Sequence, residues 1–485
     1  MRPRFYNMAR DCAGLYQDRP ALFFEGEGLS HAWTHRDLAR ASDGVAAGLR
    51  KKGLKRGDRL VLALPNGPEF PAVFFGAIKA GAIPIPVSAT LKPGEIAFLK
   101  KDSGARLVLS EPARARKFMS APGPAVRVPR TRGDDPAFWL YTSGTEGRPK
   151  AVIHAHRSIP AHDARNRLWL DLKKHDVVFN TSALNWSYAL TCGLADVLRR
   201  GVTSVVFSGR PEPERLLEVV RKRRVTIFLS VPGLFRRLTE YFEKRPASRR
   251  LFRSVRVCLS AGEKLPAEIR TRFRSATGLT IREGLGMTEH SVYLVQPKGR
   301  RVVEGSCGRP LPGHRVAILR EDLSPTRPGE VGILASHRSC PGLMSGYHRG
   351  LKEGKAAFRK GWFLSGDLAY RDEQGNYFFI GRRDDVITAG GYRISPMEVE
   401  NVLNRHPAVR GSAAVGVEIA PGKTVVRGHV ILKKGRKGTG TLKKSVLDFA
   451  RRNLAPYKAP REIVFETSLP RTSTGKLIRK RFRSA

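Results

Sequence analysis

At 485 residues with 41% hydrophobic side chains, the chain has material for more than one hydrophobic core, so two or more domains are expected. The formal charge of +45 suggests anionic partners, but the basic residues are spread through every segment, and no zinc finger, basic zipper or aromatic-interleaved ribonucleoprotein motif accompanies them. Five scattered cysteines exclude a disulfide framework or C-x-x-C metal site, and no apolar run is long enough to span a bilayer. The first residues lack the pattern of a secretory leader, so a soluble cytoplasmic protein is expected.

From Leu22 to Ser110 short β-like runs alternate with helical ones. Ala32-Trp33-Thr34 leads into an amphipathic run from His35 to Lys51, with Leu38, Val45 and Leu49 on one face and Gly53 as a stop. Asp58 to Leu64 reads as a buried strand, Glu69 to Ala80 as a helix ended by Gly81, and Ile83 to Val87 as extended. This is βαβ grammar, and it predicts parallel sheet with helices on both faces.

Tyr141-Thr142-Ser143-Gly144-Thr145-Glu146-Gly147-Arg148-Pro149-Lys150 follows. Small hydroxyl residues and glycines let backbone N–H groups turn towards an anion, and a terminal lysine brings charge to outer phosphates. The spacing is not that of a Walker A loop, and composition alone fits a solvent turn as well as a triphosphate cradle.

The βαβ grammar resumes beyond it. Strands are expected at Val177-Val178-Phe179, Val202 to Phe207, Val225 to Ser230 and Val255 to Ser260, with helices at Glu212 to Arg223 and Pro266 to Thr277. In open parallel sheets ligands gather where strands end, which marks three loops: Ala183-Leu184-Asn185-Trp186, Ser260-Ala261-Gly262-Glu263-Lys264, and Gly284-Leu285-Gly286-Met287-Thr288-Glu289. The last offers a hydroxyl and one carboxylate able to hold Mg²⁺, or else a turn with a capping glutamate. Trp186 by itself fits a core better than a pocket.

Past Gly305, prolines and glycines punctuate short β runs, predicting a small β-rich subdomain. In Trp362-Phe363-Leu364-Ser365-Gly366-Asp367 a strand-like run ends in a lone aspartate, suited to ribose hydroxyls or simply to a turn. A charged turn at Gly381 to Asp385, the Gly390-Gly391 pair and a helix opening at Ser395-Pro396 lead into a final α+β module of about a hundred residues. Its tail, Arg471-Thr472-Ser473-Thr474-Gly475-Lys476, presents a lysine among small residues.

Taken together and in order, these motifs resemble the acyl- and aryl-CoA synthetases of the adenylate-forming superfamily over essentially the full length. The segment around Asn185-Trp186, the string Gly391-Tyr392-Arg393-Ile394-Ser395-Pro396 with Glu398 and Glu400, and Tyr457-Lys458-Ala459-Pro460 are similar to the medium-chain acyl-CoA synthetase branch, with benzoate-CoA ligases close by.

The resemblance implies an α/β fold: a large N-terminal domain, 1–383, of parallel βαβ sheets with a small β-rich subdomain, then a swivelling small α+β domain, 384–485, hinged at Asp384. It implies two half-reactions with ATP, coenzyme A and Mg²⁺, first making an acyl-AMP and then the thioester. By carry-over, Lys476 meets the acyl carboxylate and α-phosphate. Thr142, Ser143, Gly144, Thr145 and Lys150 meet the β- and γ-phosphates, Thr288 the α-phosphate, and Glu289 the metal.

Asp367 and Arg382 would hold ribose, and Gly262, Glu263 and Lys264 would flank adenine. Gly390, Gly391 and Arg393 would serve pantetheine, and Trp186, Val231, Pro232 and Leu285 would wall the acyl pocket. Glu146 and Thr388 depart from the family pattern without removing a residue the scheme needs. The expected partners are a medium-chain or aromatic carboxylic acid, ATP and coenzyme A. A homodimer is compatible with the resemblance, and neither a membrane span nor a dedicated nucleic-acid partner is expected. The competing readings are an enzyme loading a carrier protein and an inactive or nucleic-acid-binding homologue.

Overall fold

The helix His35–Lys51 starts where Thr34 and Asp37 close a capping box, Thr34 N–H donating to Asp37 Oδ2 at 2.8 Å and Asp37 N–H to Thr34 Oγ1 at 3.1 Å. Its apolar stripe, with Leu38, Val45 and Leu49, is fully buried. It packs on the helix Glu69–Ala80, where Gly76 lies so close to Val45 that a Cβ would come within 2.6 Å of it. Gly81 ends that second helix at φ +89°, a conformation glycine adopts without strain.

In this computed structural model the described residues are 5–14, 16, 18–120, 126–142, 149–350, 356–383, 385–389, 392–420, 423–470 and 477–482. They form two compact units: Met1–Arg315 with Ser336–Phe363, and Val316–Ala335 with Leu364–Ala485.

The first unit is built on a nine-stranded sheet. Its middle is parallel, in the order Ile281–Met287, Val257–Ser260, Ile227–Ser230, Val177–Asn180, Thr203–Ser208 and Pro20–Gly26. Antiparallel partners close both sides: Leu29–Thr34 beyond Pro20–Gly26, and Ser291–Val295 then Arg309–Pro310 beyond Ile281–Met287. The parallel expectation thus holds for the middle, and short turns join Pro20–Gly26 to Leu29–Thr34 and Ile281–Met287 to Ser291–Val295 as antiparallel neighbours.

One face of this sheet is apolar throughout. Phe179, Phe228, Phe235, Phe252 and Phe273 interlock edge to face, with Phe228–Phe252 and Phe235–Phe273 ring centroids both 5.3 Å apart. The other face packs on Trp169, Tyr188 and Cys192 and also encloses charge. There Arg165 and Asp196, both without exposure, form an ion pair beside His162, whose Nδ1 lies 3.1 Å from Asp196 Oδ1. All five cysteines are buried and none forms a disulfide.

A smaller parallel sheet, Ile83–Pro86, Arg59–Leu62 and Leu107–Leu109, and an antiparallel one, Pro136–Thr142, Lys150–Ala155 and Gly346–Tyr347, complete the first unit.

The second unit holds the turn-rich strands Val316–Leu319, Gly332–His337, Trp362–Arg371 and Tyr377–Arg382, two of which run on into residues counted with the first unit. The hairpin Ile387–Ala389 and Tyr392–Ile394 follows. A three-stranded sheet, Val409–Ala420, Lys423–Leu432 and Glu462–Phe465, is covered by the helices Pro396–Leu403 and Gly440–Asn453 around Val399, Leu403, Val430, Val446 and Ile463. No helix among the described residues is long and apolar enough to cross a membrane.

Candidate active site

In the first unit the hydroxyl-rich stretch is flanked by two paired strands. Pro136–Thr142 runs antiparallel to Lys150–Ala155 with Thr142 opposite Lys150, so these two of the expected phosphate ligands are neighbours across the pair. Proline at 149 leaves Lys150 to begin a strand rather than a helix. Residues Ser143, Gly144 and Thr145 lie outside the described residues. The hairpin's flank is held by Tyr141, whose hydroxyl donates to Asp102 Oδ2 at 2.6 Å; burial and that carboxylate push the phenol well above its ordinary range.

The same hairpin grips the turn after Ile281–Met287. His154, buried and stacked on Phe138 at 4.8 Å, donates through Nε2 to the carbonyl oxygen of Thr288 at 2.9 Å. Burial lowers its pKa to about 4, so at neutral pH the ring is uncharged and one nitrogen is free to be the donor. Tyr347, on the strand beside Val152, donates its hydroxyl to Glu289 Oε1 at 2.8 Å, and Met344 N–H donates to the Glu289 carbonyl at 2.8 Å.

His290, next in sequence, turns inward and faces Ser336 Oγ at 3.1 Å through Nδ1. Ser291 then adopts φ +53° and receives Arg165 Nη1–H on its Oγ at 2.6 Å. Thr288 and Glu289 are therefore fixed from several sides while remaining half-buried.

Gly284 to Met287, expected as loop, continue the strand; Gly284, Leu285, Gly286 and Met287 pair with Val295, Leu294, Val292 and Ser291. The glycines are needed for closeness rather than for a turn, since a Cβ on Gly286 would lie 2.2 Å from Ser291 O. Leu285, between them, is half-buried.

The other marked loops come from neighbouring strand ends. Val231 and Pro232 open the helix Pro232–Lys244, and a Cβ on Gly262, at φ +95°, would meet Val231 Cγ1 at 3.9 Å. Gly262 and Glu263 are exposed and Lys264 half-buried. Trp186 is half-buried too, so it is not a core residue. Its loop is held by Asn66, whose Oδ1 accepts from Leu184 N–H at 2.9 Å while its Nδ2 donates to Phe207 O at 2.9 Å.

Asn66, His154 and Tyr347 escaped the sequence reading because their partners stand 118, 134 and 58 residues away. Only the turn-forming Asn66-Gly67 pair carries a local signal.

In the second unit Asp367 is buried opposite Arg382, with Arg382 Nε 3.1 Å from Asp367 Oδ1. The strand does not end at the aspartate, as expected, but runs on to Arg371. Gly366 adopts φ +74° just before it, Asp367 N–H donates to Ser365 Oγ at 3.0 Å and Arg383 N–H to Gly366 O at 2.8 Å, and the pairing with Tyr377–Arg382 bulges between Leu368 and Ala369. Asp384, Gly390, Gly391 and Lys476 lie outside the described residues, as does the side chain of Arg393, whose backbone belongs to Tyr392–Ile394.

Residues 9–348 match the family model for AMP-binding enzymes, and residues 398–476 match that for the AMP-binding enzyme C-terminal domain. The chain belongs to the AMP-binding enzyme family. It is 32% identical to an uncharacterised acyl–CoA ligase of Bacillus subtilis, covering 96% of this chain and 93% of that one. A benzoate–CoA ligase of Thauera aromatica is 31% identical over 100% of this chain and 97% of its own length. Among solved structures, a benzoate CoA ligase of Burkholderia xenovorans LB400 superposes with a TM-score of 0.88 at 29% identity, covering 99% of this chain and 100% of that one. In this family member, then, the hairpin 136–155 and the turn at Thr288-Glu289 are two parts of one hydrogen-bonded assembly.

Proposed function

We propose that the chain, an AMP-forming carboxylate–CoA ligase, activates an aromatic or medium-chain carboxylic acid. The observation that carries the site reading is the His154–Thr288 hydrogen bond, which ties the hydroxyl-rich hairpin to the turn bearing the Glu289 carboxylate. Phosphate donors and a metal-binding carboxylate are thereby held as one group, as phosphoryl chemistry requires.

In the first half-reaction an oxygen of the acid attacks the α-phosphorus of ATP and pyrophosphate departs, leaving acyl-AMP. Thr142, Ser143, Gly144, Thr145 and Lys150 receive the β- and γ-phosphates, with Thr288 against the α-phosphate. Asp367 and Arg382 hold the ribose, and Gly262, Glu263 and Lys264 flank adenine. Lys476 neutralises charge on the entering carboxylate and the α-phosphate.

Glu289 fits a Mg²⁺ ligand. Tyr347 engages one carboxylate oxygen, further lone pairs remain, and this ion is commonly held by one or two carboxylates together with substrate phosphates. Among the described residues there is no cluster of three or more His, Cys, Asp or Glu, so an all-protein metal cage is not part of the reading. When bound, the ion would offset negative charge on the phosphates.

In the second half-reaction the coenzyme A thiol sulfur attacks the acyl carbon, its proton leaves to solvent, and AMP departs. Gly390, Gly391 and Arg393 serve pantetheine. The working domain boundary is Arg383/Asp384, with Asp384 as hinge. Trp186, Val231, Pro232 and Leu285 wall the acyl pocket; one methylene there changes discrimination by only about 1–3 kcal/mol, so the acid is best identified directly.

The test is pyrophosphate release and thioester formation across a panel of benzoates and straight-chain acids. No acid-dependent pyrophosphate release with any of them sinks the reading. Lys476→Ala is expected to abolish adenylation while sparing thiolysis of supplied acyl-AMP; equal loss of both steps contradicts its assigned role.

A further inference from the structure

The loops of the candidate active site follow the carboxyl ends of the parallel strands. At the opposite, amino ends of two of the same strands lies a cavity of about 590 Å³. It is lined by Arg249, Arg250, Phe252, Arg253 and Val255, just before the strand Val257–Ser260, and by Thr277 and Leu279, just before Ile281–Met287. A strand of four residues, roughly 13 Å of extended chain, separates the two ends. The cavity is thus a place apart from the phosphate hairpin and the Thr288-Glu289 turn.

Its rim is strongly basic. Several nearby arginines are neutralised, Arg237 by Glu212, Arg245 by Glu214 at 3.5 Å, Arg272 by Glu243 at 2.6 Å, and Arg256 by Asp171 at 2.6 Å and Asp176 at 2.5 Å. Arg249, Arg250 and Arg253 form no ion pair among the described residues. Arg249 donates only to Ala276 O at 3.4 Å and Arg253 to Arg250 O at 3.2 Å, so most of their guanidinium N–H groups remain available.

Three like charges on the rim of one depression repel each other. The floor is different in kind: Phe252 and Val255 are buried, Leu279 is half-buried, and Thr277 is occupied by hydrogen bonds to Phe273 O and from Leu279 N–H.

We propose that this cavity is a second anion site, separate from the active centre, that takes a nucleotide-sized molecule bearing a phosphate chain. Guanidinium forks match phosphate oxygens two at a time, the volume lies within the roughly 300–1,000 Å³ of small-molecule sites, and the apolar floor suits a flat base. A ligand there relieves the rim's repulsion, which an uncharged ligand does not.

Equilibrium dialysis of the full chain with labelled ATP, with tripolyphosphate, with adenosine and with a short single-stranded RNA tests this. The comparison is with Arg249→Ala/Arg250→Ala/Arg253→Ala, whose exposed positions and distance from the active-site loops leave folding and acid-dependent pyrophosphate release unchanged. Wild type is expected to bind one equivalent more of ATP and of tripolyphosphate than the triple variant, and adenosine is expected not to distinguish them. Single replacements should weaken the extra site roughly tenfold each. Equal stoichiometry in the two proteins overturns the proposal. So does a binding loss confined to single-stranded RNA, which would make the patch a nucleic-acid contact instead.

Discussion

Glu283 and Glu289 lie on one stretch of chain, the strand Ile281–Met287 and the turn that follows, yet the two carboxylates have opposite surroundings. At the beginning Glu283 is 4% exposed; Arg270 clasps it, Leu265 N–H donates to its Oε1 at 2.8 Å, and its own N–H is taken by Gln296 Oε1 at 2.8 Å. At the far end Glu289 is half-buried, receives one hydroxyl from Tyr347, and has no ion pair among the described residues. A carboxylate whose lone pairs are consumed by its own protein is structural; one with oxygens to spare can bind something else.

The comparison is sharpest in loss of function. Glu289→Gln is expected to lower acid-dependent pyrophosphate exchange roughly a thousandfold while leaving the melting temperature unchanged. A large drop in melting temperature would erase the contrast between the two glutamates. Glu283→Gln should behave in the reverse sense. Removing its charge leaves Arg270 buried and unpaired, so denaturant unfolding should show a loss of about 3 kcal/mol, with little change in exchange activity per folded molecule.

The grip on the Thr288-Glu289 turn has a pH signature through His154. The unfolded chain takes up that proton near pH 6.5 and the folded chain resists until about 4, so the unfolded state binds more protons throughout that window. Stability is therefore present above pH 6.5 and is lost as pH falls towards 4, by about 1.4 kcal/mol per pH unit for this group. His154→Phe should flatten the acid limb of a melting-temperature profile by that amount; an unchanged limb would show that the ring is not held neutral. The smallest effect is expected of Tyr347→Phe, which removes one hydrogen bond to a half-exposed carboxylate. Its exchange rate should fall roughly tenfold with no change in unfolding free energy beyond about 1 kcal/mol.

Much of the scaffold is local and so was legible. The stripe of Leu38, Val45 and Leu49 predicts the helix His35–Lys51, and Gly81 predicts where Glu69–Ala80 stops. The expected strand at Val177-Val178-Phe179 is present as Val177–Asn180, and that at Val255 to Ser260 as Val257–Ser260. The misreadings at Gly284 to Met287 and at Asp367 share a cause. Glycine signals a turn in sequence, whereas here it allows close strand contact at Gly286 and a positive φ within a continuing strand at Gly366.

What the amino-acid order determined by itself is the set of chemical groups: hydroxyls and Lys150 around a glycine-rich stretch, a Thr-Glu pair after a strand, and an alternation of apolar runs that must form layered sheet and helix. Those follow from local periodicity and backbone preference, which act over a few residues. Only the tertiary structure decided which carboxylate is spent and which is spare, that His154 and Tyr347 hold the turn at Thr288-Glu289, and that Arg249, Arg250 and Arg253 share one cavity. Those outcomes depend on burial and on partners far away in the chain, because a charged group's role is set by the atoms that surround it after folding.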